Sequence, residues 1–188
     1  MNTQKEYDVL RLIEHNRICY VSSDSVKGYP LVQWIKYHPY LEKEKMIRWI
    51  YNIIQQLVQI HKCRGNPCYQ YVNPYSIIVT ENEKLCFLDI GADSNRERIR
   101  LMQRRNVREY FLPEKEMFYK RGSVDLDIYG LGKTLQYLLT FVEVEPGFTK
   151  KEEKRLKRLI SKCISEGRRK KFDRMSDVLK YLTELKAI

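Results

Sequence analysis

From Leu41 to His61 an apolar residue recurs every three or four positions: Met46, Ile47, Ile50, Ile53, Ile54, Leu57 and Ile60. That spacing lines them along one stripe and predicts a long amphipathic helix with a single buried face. Gly65, Asn66 and Pro67 end the helix and open a loop. Asp127 to Phe141 follows a different pattern. Ile128, Leu131, Leu135, Leu138 and Leu139 recur with little charge between them, which predicts a helix buried on most sides. Lys151 to Ser165 and Met175 to Ala187 predict two further amphipathic helices.

Shorter apolar runs break this helical rhythm. Ser76 to Thr80 and Lys84 to Asp89, joined by Glu81, Asn82 and Glu83, predict a hairpin. Ile18 to Ser22 predicts a brief strand followed by a turn at Lys27 and Gly28. In Glu6 to Glu14 the residues Val9, Leu10 and Ile13 fall at helical spacing and predict a short helix. Asn95 to Arg108 is crowded with arginine and carries no regular pattern. The expected architecture is mainly α with a small β-hairpin in its middle.

Composition narrows the class. A chain of 188 residues with 43% hydrophobic positions and 14 tyrosines fits one domain with a continuous core and argues against disorder. No apolar run is long enough to span a bilayer, and Met1 to Asp8 does not read as a secretory signal. Five cysteines do not suggest a disulfide framework, so a reducing, cytoplasmic setting is the expectation. The formal net charge of +11 points to acidic partners: a protein face, nucleic acid or an anionic membrane surface.

Several short motifs occur in a telling order. Tyr69-Gln70-Tyr71-Val72-Asn73-Pro74-Tyr75-Ser76 precedes the predicted hairpin, which ends in Asp89-Ile90-Gly91. Leu112-Pro113-Glu114 follows, and then Asp127-Ile128-Tyr129-Gly130-Leu131-Gly132 opens the buried helix. The set resembles the large lobe of the protein kinases, in a degenerate form similar to bacterial Ser/Thr kinases. The loop stands where the family has H-R-D-L-x-x-x-N, the later triplets stand for D-F-G and A-P-E, and the helix opening stands for D-x-W-S-x-G.

The resemblance extends further on both sides. Ser25 to Ile35 is similar to the hinge and the helix after it. Glu6 to Ile18 is similar to the regulatory helix of the small lobe, with Glu6 at its glutamate and His15-Asn16-Arg17-Ile18 at its following turn. Cys163 to Leu179 is similar to the last two helices. It implies one kinase-like domain, with residues 1–24 a vestigial small lobe and hinge approach and residues 25–188 the helical large lobe.

It also implies which residues hold the scaffold. Asp127 would accept backbone hydrogen bonds from the loop, and Glu114 would pair with Lys171. Lysine there replaces an arginine, and a point charge holds a carboxylate less firmly than a two-pronged guanidinium. The region between Phe141 and Lys151 reads only as a connection, Val142 to Lys150, where the family places an additional helix.

Phosphoryl transfer needs positioned phosphates, metal ions and a carboxylate base. Tyr69 stands at the histidine position and Tyr71 at the base position, and a phenol with a pKa near 10 does not replace a carboxylate. Asn73 replaces the loop lysine, and Ser76 replaces a metal-holding asparagine. Only Asp89 keeps a metal-ligand identity. The five residues before Glu6 leave no room for a glycine-rich loop and its lysine. The reading is a catalytically inactive module acting by protein–protein interaction, with no cofactor and no metal. Two alternatives stay open: a residual kinase using Asp89 with a partner-supplied small lobe, and a basic-surface binder of nucleic acid or anionic membrane.

Gly130-Leu131-Gly132-Lys133-Thr134 is set aside as a phosphate loop, because Asp127 stands where the first glycine is needed. His61, Cys63 and Cys68 lack a second pair of ligands and read as a histidine with free thiols rather than a metal site. Arg96, Arg98, Arg100, Arg104, Arg105 and Arg108 form one basic stretch and a candidate partner surface. A second runs through Lys150, Lys151, Lys154, Arg155, Lys157 and Arg158, and a third through Arg168, Arg169, Lys170 and Lys171. The side of the lobe normally covered by a small lobe is expected to meet a partner protein or a second copy of the chain.

Overall fold

The computed structural model describes residues 4–63, 68–113, 123–165 and 172–186. The chain opens with a long hairpin, β1 (Lys5–His15) and β2 (Ile18–Pro30), paired from Lys5 opposite Gly28 to His15 opposite Ile18. Its two-residue turn, Asn16 and Arg17, has φ of 50° and 64°. Two consecutive left-handed residues give the turn whose twist suits an antiparallel pair, and asparagine tolerates that conformation well.

The hairpin corrects two expectations. Glu6 to Glu14 is a strand and not a helix, so Glu6 does not lie on a regulatory helix. Val9, Leu10 and Ile13 fit a helical stripe by coincidence; the operative period is two. Val9 enters a small cluster with Ile78, Leu88 and Met102, while Leu10 and Leu12 join the main core. Lys27 and Gly28 are not a turn but part of β2, where Gly28 also pairs with Thr80. β2 runs on through positions 24 and 25, where the sequence reading passes from small lobe to large lobe within one domain.

After β2 come α1 (Leu31–Tyr37), β3 (Tyr40–Glu42) and α2 (Lys43–Cys63). α2 buries Met46, Trp49, Ile50, Ile53, Ile54, Leu57 and Ile60, the expected stripe with a tryptophan added. β4 (Ile77–Thr80) and β5 (Leu85–Phe87) form the middle hairpin, and the sheet order is β1-β2-β4-β5. A bridge from Val9 to Leu88 brings β5 back to β1, so the sheet curls toward closure.

The arginine-rich stretch is helical, against expectation. α3 (Arg96–Met102) and α4 (Arg105–Phe111) bury Met102, Val107 and Phe111. Each helix is short enough that a few inward residues decide it, and charges dominate the rest. α5 (Val124–Phe141) is the central helix, followed by β6 (Glu143–Glu145), α6 (Lys150–Ile164) and α7 (Met175–Lys186). β6 lies in the expected plain connection and pairs in parallel with β3, Leu41 opposite Val144. Three-residue strands leave too little alternation to read from sequence.

Cys19 on β2 and Cys63 at the end of α2 are joined as a disulfide, their Cα atoms 4.8 Å apart. The expectation that Cys63 is a free thiol fails here. Cys68, Cys86 and Cys163 are free. No described helix is long and apolar enough to cross a membrane.

Candidate functional site

Asp127 lies in the first turn of α5 and is fully buried. Its Oδ2 accepts from the Tyr69 backbone N–H at 2.6 Å, and its Oδ1 accepts from that of Gln70 at 2.7 Å. His61 Nε2, from the last turn of α2, lies 2.6 Å from Oδ2, and the Cys68 thiol donates to Oδ1 at 3.4 Å. One carboxylate therefore ties α2, α5 and the start of the loop together. Gln70 takes a φ of 76°, which lets two successive backbone N–H groups turn to the same acceptor.

Cys68 and His61 both bind Asp127, the thiol meeting the carboxylate and not the ring as a nucleophilic triad would require, and the electrostatics oppose such use as well. Burial, and then the charge of Asp127, push the Cys68 thiol well above its ordinary range. A reactive cysteine needs the opposite surroundings. Sequence spacing gave no sign that His61 and Cys68 would share a partner 59 or more residues away.

The rest of the loop is folded onto itself. Ser76 is fully buried, and its hydroxyl lies 2.5 Å from the Tyr71 carbonyl and 3.0 Å from that of Asn73. Asn73 is also buried; its Oδ1 accepts from the Tyr75 N–H at 2.9 Å and its Nδ2 reaches the Met102 sulfur at 3.4 Å. Tyr69 donates from its hydroxyl to the Leu88 carbonyl at 2.7 Å and meets Phe87 edge-on. Tyr71 is half-buried against both apolar clusters, its hydroxyl accepting from Gln103 Nε2 at 3.1 Å.

Asp89 is half-buried, and its Oδ1 accepts from the Gly91 N–H at 3.0 Å. Its backbone is clamped from two sides. The Asp89 N–H donates to the Asp8 carbonyl at 2.9 Å, and buried Asn95 donates from Nδ2 to the carbonyls of both Asp8 and Asp89 at 2.8 Å. Asn95 had read as the edge of an arginine stretch; it is the pin between β1 and the Asp89 turn.

A cavity of about 580 Å³ opens between the loop, α3, α4 and α5, lined by Tyr71, Val72, Met102, Val107, Phe111 and Leu126 among others. None of its described lining residues is a carboxylate. Among the described residues no group of three or more His, Cys, Asp or Glu side chains is placed to hold a metal ion. Glu114 and Lys171 lie outside the described residues, as do Arg168, Arg169 and Lys170.

Gly130 and Gly132 serve packing and not phosphate. A Cβ on Gly130 would come within 2.6 Å of the Val72 carbonyl, and one on Gly132 within 2.7 Å of the Cys163 Cβ. The helix must be bare there for the loop and α6 to approach.

The overall shape can be compared with solved structures. Over 95% of this chain it superposes on the pseudokinase domain of BIR2, an immune regulator of the RLK/Pelle family, with a TM-score of 0.66 and 15% identity. The fold is protein-kinase-like. The chain spans 64% of the length of that kinase-like structure. No family model and no curated protein sequence matches.

Within the kinase-like fold the six arginines have different neighbours. Arg96 pairs with Asp93 at 2.7 Å and Arg105 with Glu109 at 2.7 Å. Arg98 lies over the Tyr7 ring, 5.5 Å from its centroid, and Arg108 lines the cavity. Arg100 and Arg104 are exposed. On α6, Lys150, Lys154, Lys157 and Arg158 line one shallow groove of about 400 Å³ together with Glu153, which lies 4.0 Å from Lys157.

Proposed function

We propose that this chain is a non-catalytic, kinase-like module that acts by binding another protein. The observation that carries this reading is the self-contained loop: Asn73 and Ser76 use their polar side-chain atoms within the loop and on Met102. In an active kinase such positions would converge on phosphates and metal. The donors present do not fit two bridging magnesium ions, because Ser76 is buried and the Asp89 carboxylate takes the Gly91 N–H. In this reading residues 25–188 serve as the helical large lobe, and Asp127, with Glu114 and Lys171, serves the scaffold.

Titration of the protein with ATP and magnesium in a calorimeter tests this. Because the described loop turns its polar side chains on itself, no saturable heat is expected up to millimolar ATP. Saturable binding in the micromolar range would revive a residual kinase completed by a partner.

The partner would be acidic on the face that meets α6, since four cations line one groove there and charge complementarity guides approach. This adds α6 as a second candidate docking surface beside arginines 96–108. Weak, non-saturable capture of RNA or anionic vesicles is expected. A steep salt slope for either would favour a nucleic-acid or membrane binder.

A further inference from the structure

We propose that the Cys19–Cys63 crosslink is a reversible redox latch, which sets whether the outer half of the β1–β2 hairpin is fixed to α2 or free to move. Beyond Leu10 the hairpin meets the body through half-buried Leu12 and Val21 and through the ion pair of Glu14 with Lys62. That pair is exposed on both sides and holds weakly. The crosslink, bridging a sequence separation of 44, is the strong tie at this end.

The surroundings of the two sulfurs suit a bond that opens and closes. Cys19 and Cys63 are both half-buried, Cys19 between exposed Ile18 and Tyr20, and Cys63 beside exposed Lys62. An incoming thiol therefore has a path to the bond. The open state has a partner ready as well, because the Gln59 carbonyl lies 3.9 Å from the Cys19 sulfur and accepts its thiol. The body keeps its own ties when the bond is broken. Asp127 joins α2, α5 and the loop, and Asn95 and the Val9 cluster hold the base of the hairpin.

The latch answers to an external reductant. Burial pushes the thiols of Cys68, Cys86 and Cys163 upward, that of Cys163 to about 12. A thiolate is the attacking species in disulfide exchange, so these three leave the crosslink alone. The reductant is a dithiol, small or carried by a protein. One of its thiolates attacks a cystine sulfur, the Cys19–Cys63 bond breaks, and a mixed disulfide forms while the other cysteine leaves and takes up a proton. The second thiol of the reductant then displaces the remaining cysteine. Two electrons and two protons pass to the protein, and the reductant ends as its own disulfide.

Native hydrogen exchange on the full chain, oxidised with glutathione disulfide and then treated with dithiothreitol, tests this. After denaturation the oxidised protein should titrate three thiols and the reduced protein five. Amides between Leu12 and Val21 should exchange about tenfold faster or more once reduced, with α5 unchanged. Returning the protein to glutathione disulfide should restore the slow exchange. Cys19→Ser and Cys63→Ser should exchange as the reduced protein does and ignore the dithiol.

Four results overturn the proposal: five thiols after oxidation, a crosslink that opens only on denaturation, hairpin exchange equal in both states, or protection lost equally in α5. A dithiol response that persists in Cys19→Ser would assign the effect to the other thiols and overturn it too. If the serine variants misfold, the cycle of reduction and reoxidation still decides. The latch does not rest on the interaction-module reading, so the nucleotide titration leaves it untouched.

Discussion

The β1–β2 hairpin and the helical body around α5 solve different problems. In the body, Ile128, Leu131, Leu135 and Leu138 are fully buried and one carboxylate, Asp127, holds α2, α5 and the loop in register. The hairpin is attached at its base by the Val9 cluster and the Asn95 pin, and near its tip by the Cys19–Cys63 crosslink and the exposed Lys62–Glu14 pair. Toward its tip Ile13, Ile18 and Tyr20 are exposed. The body carries the charge and the hairpin carries none in net. The difference teaches that the two regions are held by different means, so variants confined to the hairpin tip should leave the body largely intact.

Removing the shared acceptor should have the largest effect. Asp127→Ala would leave the N–H groups of Tyr69 and Gln70 and the ring of His61 without their buried partner. Losing one side of such a network costs roughly 3–5 kcal/mol. Urea unfolding should show a lowered midpoint, with α2, α5 and the loop losing protection together. Asp89→Ala removes one half-buried bond to Gly91 and should cost about 1 kcal/mol or less. If the two variants were equally destabilised, Asp127 would not be the tie described above.

The next effect should be confined to the hairpin. Cys19→Ser removes a crosslink closing 44 residues of sequence separation, and losses of this kind are typically about 2–4 kcal/mol. Hydrogen exchange should quicken along β1 and β2 while the amides of α5 keep their protection. Equal loosening of both regions would erase the distinction between hairpin and body.

How far the sequence disclosed this arrangement follows from the length of each pattern. α2 and α5 were legible because their stripes run through several turns, and the middle hairpin because Glu81 to Glu83 separates two apolar runs. The motif order from Tyr69 to Gly132 pointed to the kinase-like fold that the superposition supports. β1 was misread because Val9, Leu10 and Ile13 fall at helical spacing, whereas Val9 and Leu10 are buried on opposite faces of one strand. The deciding signal was Asn16-Arg17 between two β-rich runs. The partnerships of Asp127 with His61 and Cys68, and of Asn95 with Asp8, join positions far apart in sequence and leave no local trace.

The smallest effect belongs to the N-terminus of α6 and tests whether the basic helix is held independently of the hairpin. Thr149 caps this helix, its hydroxyl accepting from the Glu152 N–H at 3.3 Å while Glu152 accepts from the Thr149 N–H at 2.7 Å. That bond from the Thr149 N–H, helped by the Thr149 hydroxyl contact and by Lys43 at 3.5 Å, holds the Glu152 carboxyl below its ordinary value. A depressed carboxyl adds stability above the pKa it has in the unfolded chain and loses it as pH falls through the folded value. The contribution should thus be intact near neutrality and fade below about pH 4. The group is exposed, so screening keeps the pH-dependent part well under about 1 kcal/mol. Thr149→Ala should cost about 1 kcal/mol at pH 7, less at pH 3, and should not alter the exchange of β1 and β2. An undiminished cost at pH 3 would mean that the Thr149 hydroxyl caps α6 without help from the Glu152 charge.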